Sequence, residues 1–237
     1  MTMRKTIGAT GFGLILLILS IVVIPLLSTT YKPLAAEQSV TAEEALTIAT
    51  EGYADLDSLL MNAGTDFSWW GAQEIQLDVI EDELQAIALD EVVDLIKNDA
   101  SHIFCECDAG VWVPMKETNR FQVNDFNDEK IEASFYQFST STVQAGTTHL
   151  TFLKEEETWK LASIDWDFNN IHVTKAEVEA HLARLGQGQV EELTKGTVNG
   201  EAAFLYRFKD QTSYSTISVA TGQPLEDVSS EYLEQSE

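Results

Sequence analysis

The longest uninterrupted apolar pattern in the chain lies near its N-terminus, from Thr6 to Tyr31. No residue of this stretch carries a charge, and its centre, Gly13–Val23, consists mostly of Leu, Ile and Val. About 20 apolar residues in a helix cover a hydrocarbon layer of roughly 30 Å. The pattern therefore predicts a transmembrane helix, in which Pro25 marks the exit from the hydrocarbon.

The flanking residues indicate whether this segment is kept or removed. Arg4 and Lys5 precede it, which suits both a secretory signal peptide and a helix with a cytoplasmic N-terminus. The apolar part of a signal peptide is about 7–15 residues long, and this stretch is longer. A cleavage site after Ala36 would place Leu34 where a small residue is needed. We expect an uncleaved, single-pass anchor in the cell membrane, with everything after Lys32 outside the cytoplasm; a cleaved signal peptide is the alternative.

Two helices are predicted after a short linker of residues 33–40. Thr41 and Glu44 form a capping box, which is typical of a helix N-terminus, and this helix extends to about Asn62. A second helix is predicted from about Val79 to Lys97 because apolar residues recur there at helical spacing. The apolar face of the first helix consists of Leu46, Ala49, Tyr53, Leu56 and Leu60.

From His102 onward the apolar period changes to that of β-strands separated by turns. The segment Asn124–Glu129 superficially suggests a calcium loop, but the Gly and Glu that an EF-hand needs at its sixth and twelfth positions are missing, so we predict a hairpin turn. Helices followed by an antiparallel meander indicate the α+β class. The predicted strands are Ile103–Val113, Arg120–Val123, Lys130–Phe138, Thr147–Lys154 and Thr158–Trp166.

A second helix-then-sheet unit begins with another capping box, Thr174 and Glu177. Val178, His181 and Leu182 lie along the apolar face of its helix. Three strands follow, Gln189–Val198, Ala203–Lys209 and Ser213–Val219, the first two joined by the hairpin turn Asn199–Gly200. The predicted organisation is a cytoplasmic tip and anchor (1–32), a linker (33–40), an α+β domain (41–168), a linker (169–173), a second α+β domain (174–225) and a polar, frayed tail (226–237).

The charge of the chain excludes one class of partner. Three of the 14 basic residues flank the anchor, so the part from Pro33 onward has 11 Lys or Arg against 39 Asp or Glu, a formal charge of −28. Such a field repels nucleic acid and anionic lipid headgroups, so we exclude nucleic-acid binding. It favours cationic partners or divalent metal ions; a purely solubilising acidic surface is the alternative.

Each of the two helix-then-sheet units resembles a known family of domains. The first unit, about 41–168, resembles NTF2-like (cystatin-fold cone) domains, because helices precede an antiparallel sheet that ends in Thr158–Asp165 (TWKLASID). The second unit resembles PepSY-like domains in its helix, in the strand Ala203–Phe208 and in the ending Tyr214–Gly222. The second resemblance implies a bacterial extracytoplasmic protein that modulates a peptidase or a cell-wall enzyme.

The two cysteines, Cys105 and Cys107, are separated by one residue on a predicted strand. Residues two apart on a strand share a face, so both sulfur atoms point the same way. A closed zinc site takes four ligands, and the chain has no second Cys pair. Buried thiols, a local disulfide and a soft-metal site with Asp108 nearby all fit, and metal binding by Cys105 and Cys107 is one hypothesis among these.

An enzyme that uses the cone pocket is a further hypothesis. Asp165 has the same parity as Trp159 and Leu161, which places it towards the cone interior, where burial would raise its pKa. His149 is the other candidate for acid–base chemistry, whereas Asp165 as a solvated strand-end residue is the alternative. No Gly-rich phosphate loop, GxSxG, HExxH or Ser/His/Asp order is present, so we predict no cofactor and favour a non-enzymatic protein.

The pair Trp69–Trp70 is a candidate for partner binding. Adjacent residues of an extended chain cannot both face one core, so one of the two is expected at the surface, where a partner or the membrane surface would contact it. Core packing is the alternative. Taken together, the pattern predicts a membrane-anchored, extracytoplasmic binding or regulatory protein of the bacterial cell surface, with an enzyme or small-ligand receptor as the second hypothesis.

Overall fold

The computed structural model describes residues 39–105, 112–139, 145–167, 171–185, 188–209 and 211–229. They form an α+β structure with two four-stranded antiparallel sheets, in the orders β1-β2-β3-β4 and β5-β6-β7-β8. The elements in chain order are α1 (Ala42–Asp66), α2 (Glu81–Ile87), α3 (Asp90–Phe104), β1 (Thr118–Phe126), β2 (Lys130–Gln137), β3 (Gly146–Glu155), β4 (Thr158–Asp167), α4 (Lys175–Leu185), β5 (Val190–Val198), β6 (Glu201–Phe208), β7 (Ser213–Ser218) and β8 (Val228–Ser229).

The predicted transmembrane segment, residues 6–31, lies outside the described residues. Among the helices that the structure describes, each is too short or too polar to cross a membrane.

The capping box of Thr41 and Glu44 forms as predicted, since each side chain bonds the main-chain N–H of the other residue. The helix that it begins, α1, extends to Asp66, beyond the predicted end. The prediction that Leu46 lies on the buried face of α1 is wrong, since this residue is 41% exposed. The buried face begins instead at Ala45, one residue earlier. The buried stripe of α1 is Ala45, Ala49, Tyr53, Leu56, Leu60 and Ala63.

The second predicted helix, Val79–Lys97, is divided in two. A short 3₁₀ turn, Leu77–Ile80, leads into α2, and Ala88 then adopts an extended conformation between α2 and α3. The N–H of Leu89 donates to the carbonyl oxygen of Leu161 at 2.9 Å, and Ala88 pairs with the same residue as an isolated bridge. The helix stops here because its main chain joins the outer edge of β4.

The predicted strand Ile103–Val113 is wrong in the parts that the structure describes. Ile103 and Phe104 are the last residues of α3, where both side chains are buried in the core, and the segment 112–114 is not a strand. The hairpin predicted for Asn124–Glu129 is confirmed between β1 and β2. The side chain of Asn127 accepts hydrogen bonds from the N–H groups of Glu129 and Lys130, which satisfies the turn.

Aromatic side chains fill the space between α1 and the first sheet. The ring of Tyr53 lies 5.0 Å from that of Phe135 and 6.4 Å from that of Phe121. The Tyr53 hydroxyl donates to the carbonyl oxygen of Val113 at 2.7 Å and accepts from the N–H of the same residue at 3.2 Å. Burial raises the pKa of Tyr53 well above its usual range. The interior is therefore a packed core that fixes the segment after residue 111 to α1.

The second sheet carries α4 on one face. Val178, His181 and Leu182 of α4 are buried as predicted, and Asn199 and Gly200 adopt left-handed conformations in the turn between β5 and β6. The tail was predicted to fray from Glu226 onward. Instead, Val228 and Ser229 form β8, which pairs with the beginning of β7. Val228 covers the face of the sheet opposite α4, where Leu205 and Tyr214 are buried.

The core beneath α4 also contains two residues from the first sheet and its following loop. Tyr136 of β2 and Phe138 are buried in the same cluster as Val178 and Leu182. Gly222 adopts a left-handed φ of 71° beside this cluster. A Cβ atom on Gly222 would lie 3.1–3.4 Å from side chains of the cluster. The predicted linker 169–173 is described only from residue 171 on.

Candidate functional site

The predicted catalytic candidates lie together on the outer face of the first sheet. His149 of β3 is directly opposite Asp165 of β4, and its Nε2 atom is 3.2 Å from Oδ2 of Asp167. The His149 and Asp167 side chains are 45% and 43% exposed, and Asp165 is exposed as well. The three groups form an open, solvated cluster outside the packed interior.

A β-bulge explains why the predicted orientation of Asp165 is wrong. The pairing of β3 with β4 shifts between Thr151 and Phe152, so that Ala162 is the extra residue. One inserted residue exchanges the two faces of a strand. Leu161 and Ile164 both pack against the core, and Asp165 consequently points away from it.

The interior holds one carboxyl group that no sequence pattern singles out. Asp57 follows Tyr53 by one turn of α1 and is half-buried, and burial raises its pKa, although the main chain at Met115 opposes this effect. Its Oδ1 atom and Nε1 of Trp112 are both buried without a completed hydrogen bond. The positive charge of Lys116 also opposes the rise in the pKa of Asp57.

One residue of the pair Trp69–Trp70 is exposed, as predicted, although both rings contact the same buried aromatic side chain. Trp69 is 5% exposed and packs edge-on against Phe104, with ring centroids 5.0 Å apart. Trp70 is 38% exposed, lies over Gly64 and also contacts the Phe104 ring, with ring centroids 5.4 Å apart. Phe67, 49% exposed, stacks on Trp69 and extends this apolar area.

The cysteine hypothesis falls largely outside the described residues, since Cys107 and Asp108 are not described. Cys105 lies directly after α3, not on a strand, so the argument from strand parity does not apply to it. Cys105 is half-buried and takes part in a disulfide bond. No group of three or more metal-ligating side chains occurs in the part of the chain that the structure describes.

Arg120 connects the first sheet to α4. Its guanidinium donates to both carboxylate oxygens of Glu177, at 2.5 and 2.6 Å, and to the carbonyl oxygens of Ile171 and His172. Burial alone would raise the pKa of Glu177, but the hydrogen bonds from Arg120 and from Thr174 outweigh it and lower this pKa to about 2. Glu177 thus completes both this ion pair and the capping box of α4.

A groove runs between α4 and β5. It has a volume of about 460 Å³, and its lining combines apolar residues with charged residues at the rim. β5 is an outer strand that pairs with β6 alone among the described strands, and five of its nine residues are exposed. The groove is lined by Lys175, Glu179 and Ala183 of α4, by Gly188 and Gln189, and by Val190, Glu191, Glu192 and Leu193 of β5.

The sequence predicts the strand β5 but not its position at the edge of the second sheet. The turn Asn199–Gly200 identifies the hairpin of β5 and β6, but no local signal tells which strand of a hairpin lies at the edge of a sheet. The position of α4 beside that edge depends on the burial of Val178 and Leu182 with residues of the first sheet, which are distant in sequence.

Comparisons with family profiles, with curated proteins and with solved structures found no match for this chain. The resemblances to NTF2-like and PepSY-like domains therefore stay predictions from the sequence.

Proposed function

We propose that this chain is a membrane-anchored, extracytoplasmic binding or regulatory protein of the bacterial cell surface, which acts on a partner protein such as a peptidase or a cell-wall enzyme. The uncharged stretch Thr6–Tyr31 supports the anchor. The acidic composition of the remaining chain supports work on a cationic partner surface.

The observation that carries the proposal is the contrast between a filled interior and an open sheet edge. An enzyme or small-ligand receptor of this type would use the space between α1 and the first sheet, which Tyr53, Phe121 and Phe135 occupy. Accessible concave surfaces lie on the outside instead: two beside β4, of about 500 and 580 Å³, and the groove of about 460 Å³ beside β5, which is an outer strand of its sheet. Exposed sheet edges are common docking sites for other proteins.

Site-specific photo-crosslinking of the full chain in its native membranes tests the proposal. A photoreactive residue replaces Lys195 on the exposed edge, Trp70 on the apolar area, or Asp55 on the exposed face of α1 as the matched control. We expect a covalent adduct with one defined protein from Lys195 and none from Asp55. An absence of adducts from both Lys195 and Trp70 would contradict a binding function.

A further inference from the structure

The four outer strands of the two sheets differ in how well they are protected against pairing with another chain. β1 contains two register shifts, β4 pairs at Leu161 with Ala88, and β8 has only two residues. β5 keeps an unbroken register from Glu192 to Val198 after one shift at its start. Bulges, coverage, shortness and edge charges are the usual devices against strand addition; among the described residues, this seven-residue segment has only the last, at Glu192 and Lys195.

The main-chain groups that face outward on β5 can be assigned from the neighbouring ladder. The N–H of Val219 donates to the carbonyl oxygen of Ala202 at 2.9 Å. Since hydrogen-bonding direction alternates along a strand, even-numbered residues of β6 bond towards β7 and odd-numbered residues towards β5. The odd-numbered residues pair with the even-numbered residues of Glu192–Val198. The residues that direct N–H and C=O groups to the free edge are therefore Leu193, Lys195 and Thr197.

The groove lies where an added strand would pack. Leu193 is on the same face of the sheet as Phe204 and Phe208, which α4 covers. A strand beside β5 would consequently place alternate side chains against Ala183, Val190 and Leu193, and their neighbours on the opposite, solvent-facing side. Small or medium apolar side chains of the added strand would fit against these three residues, which form the apolar floor of the groove.

Charge favours a basic segment over a second copy of this chain. Around the groove itself the charges largely cancel, since Glu179 pairs with Lys175 and the Arg207 guanidinium lies 3.2 Å from Glu191 and 3.6 Å from Glu192; the preference comes from the chain as a whole. The chain as a whole has a formal charge of −25, so two copies repel each other, whereas a basic segment is attracted over a longer range.

We propose that β5 binds an extended, net basic peptide segment of another protein, which adds as a fifth strand to the second sheet and lies in the groove beside α4. This inference rests on the proposed binding function and specifies its partner chemistry. Main-chain hydrogen bonds to Leu193, Lys195 and Thr197 provide the affinity, and the apolar floor selects alternate side chains.

The test measures binding of synthetic peptides to the full chain in detergent micelles by fluorescence anisotropy. The probe is a peptide of about ten residues that alternates Val and Lys, which is long enough for one strand. We expect it to bind, more weakly at high salt, whereas a Val/Glu peptide does not. Methylation of alternate peptide nitrogens should weaken binding at least about tenfold, the loss expected for one or two main-chain hydrogen bonds.

A variant pair separates main-chain pairing from charge. Lys195→Pro removes the outward N–H without removing a bond to β6, and Lys195→Ala removes the same positive charge but keeps the N–H. We expect Lys195→Ala to bind the Val/Lys peptide at least as tightly as the unchanged protein, because a like charge is removed, and Lys195→Pro to bind it about tenfold more weakly than Lys195→Ala.

Three results would overturn the inference: equal binding by the two Lys195 variants, equal binding of the N-methylated peptide, or a dimer that Lys195→Pro converts to a monomer. The N-methylated peptide gives an answer even if Lys195→Pro does not fold. A crosslinked partner at Trp70 but not at Lys195 would leave the proposed function intact while removing strand addition.

Discussion

Arg120 links β1 to α4 through its main-chain conformation and its guanidinium contacts. It occupies a left-handed φ of 49° in a β-bulge of β1, and its guanidinium lies 4.8 Å from the ring centre of Tyr136. From there it bonds both oxygens of Glu177 on α4. A bidentate pair of this kind holds two elements in a fixed geometry, which a single surface contact does not.

Replacement of Arg120 by Ala should lower the free energy of unfolding by about 2–3 kcal/mol, because the Glu177 carboxylate loses its charge-assisted hydrogen bonds. The matched control is Lys130→Ala, which removes an exposed ion pair with Glu132 and should cost less than about 1 kcal/mol. Urea unfolding of the full chain in detergent measures both. Equal losses for the two variants would contradict the role of Arg120.

His181 should make stability depend on pH. Burial against Phe138, together with Arg184, lowers the pKa of His181 to about 4 from its usual 6.5. Between these two values the unfolded chain binds a proton that the folded chain does not, so stability falls as the pH is lowered from 6.5 to 4.

The His181→Phe variant should lack the part of the pH-dependent fall in unfolding free energy that His181 causes, which is about 3 kcal/mol. His172→Asn, which changes an exposed histidine, is the control and should keep the decrease. Urea unfolding at about pH 7, 5 and 4 provides the comparison. Parallel pH profiles for His181→Phe and the unchanged chain would show that His181 is not the group responsible.

Single residues were predictable from sequence where the relevant geometry is local. The exposure of one residue of the pair Trp69–Trp70 was expected from their adjacency, and both capping boxes follow from residues three apart. The orientation of Asp165 was not predictable, because the bulge at Ala162 reflects a main-chain contact between β4 and Leu89.

At the scale of elements, α1 packs closely against the loop that follows it. Gly64 lies in the last turn of α1, and a Cβ there would be 2.5 Å from the Trp70 ring. Trp70 in turn contacts Phe104 at the end of α3. Glycine in a helix costs about 1 kcal/mol relative to alanine, so its presence here reflects this contact.

Gly64→Ala should therefore destabilise the chain although alanine favours helix formation. In a Trp70→Ala background the same change should stabilise it, by up to about 1 kcal/mol, because the obstructing ring is gone. The four chains of this double-mutant cycle are compared by urea unfolding. An identical effect of Gly64→Ala in both backgrounds would contradict the packing argument.

Element boundaries were predictable where capping or turn chemistry specifies them, as at Thr41, Thr174 and Asn199–Gly200. They were not predictable where tertiary contacts decide. The apolar run from Ile103 is equally compatible with a strand and with the buried end of a helix, and contacts with Trp69 favour the helix. β8 depends on pairing with the beginning of β7, which no local pattern in its two residues indicates.

At the scale of the whole molecule, residues of both sheets meet in the core beneath α4, and β5 pairs on one side only among the strands that the structure describes. The α+β class was predictable from the order of the elements, whereas the burial of Tyr136 and Phe138 under α4 was not, since it joins residues that are far apart in sequence. The location of the protein still depends on the apolar N-terminal stretch, whose role as an anchor is a prediction.

Alkaline extraction of membranes that contain the full chain tests that prediction. We expect the chain to stay in the membrane fraction. The double change Leu17→Arg, Ile18→Arg places two charges at the centre of the stretch, each costing about 2.5–3.5 kcal/mol for insertion, and should release it. Leu17→Ile, Ile18→Leu is the matched control and should stay in the membrane. Complete extraction of the unchanged chain would contradict the anchor.

Residue-resolved amide hydrogen exchange of the full chain in micelles, with and without the Val/Lys peptide, tests the binding account most directly. The even-numbered amides of Glu192–Val198 already bond to β6, so their exchange should be slow in both states. The amides of Leu193, Lys195 and Thr197 should exchange fast in the free chain and slow when the peptide is bound. Unchanged exchange at these three amides, under conditions where the peptide is bound, would contradict strand addition at β5.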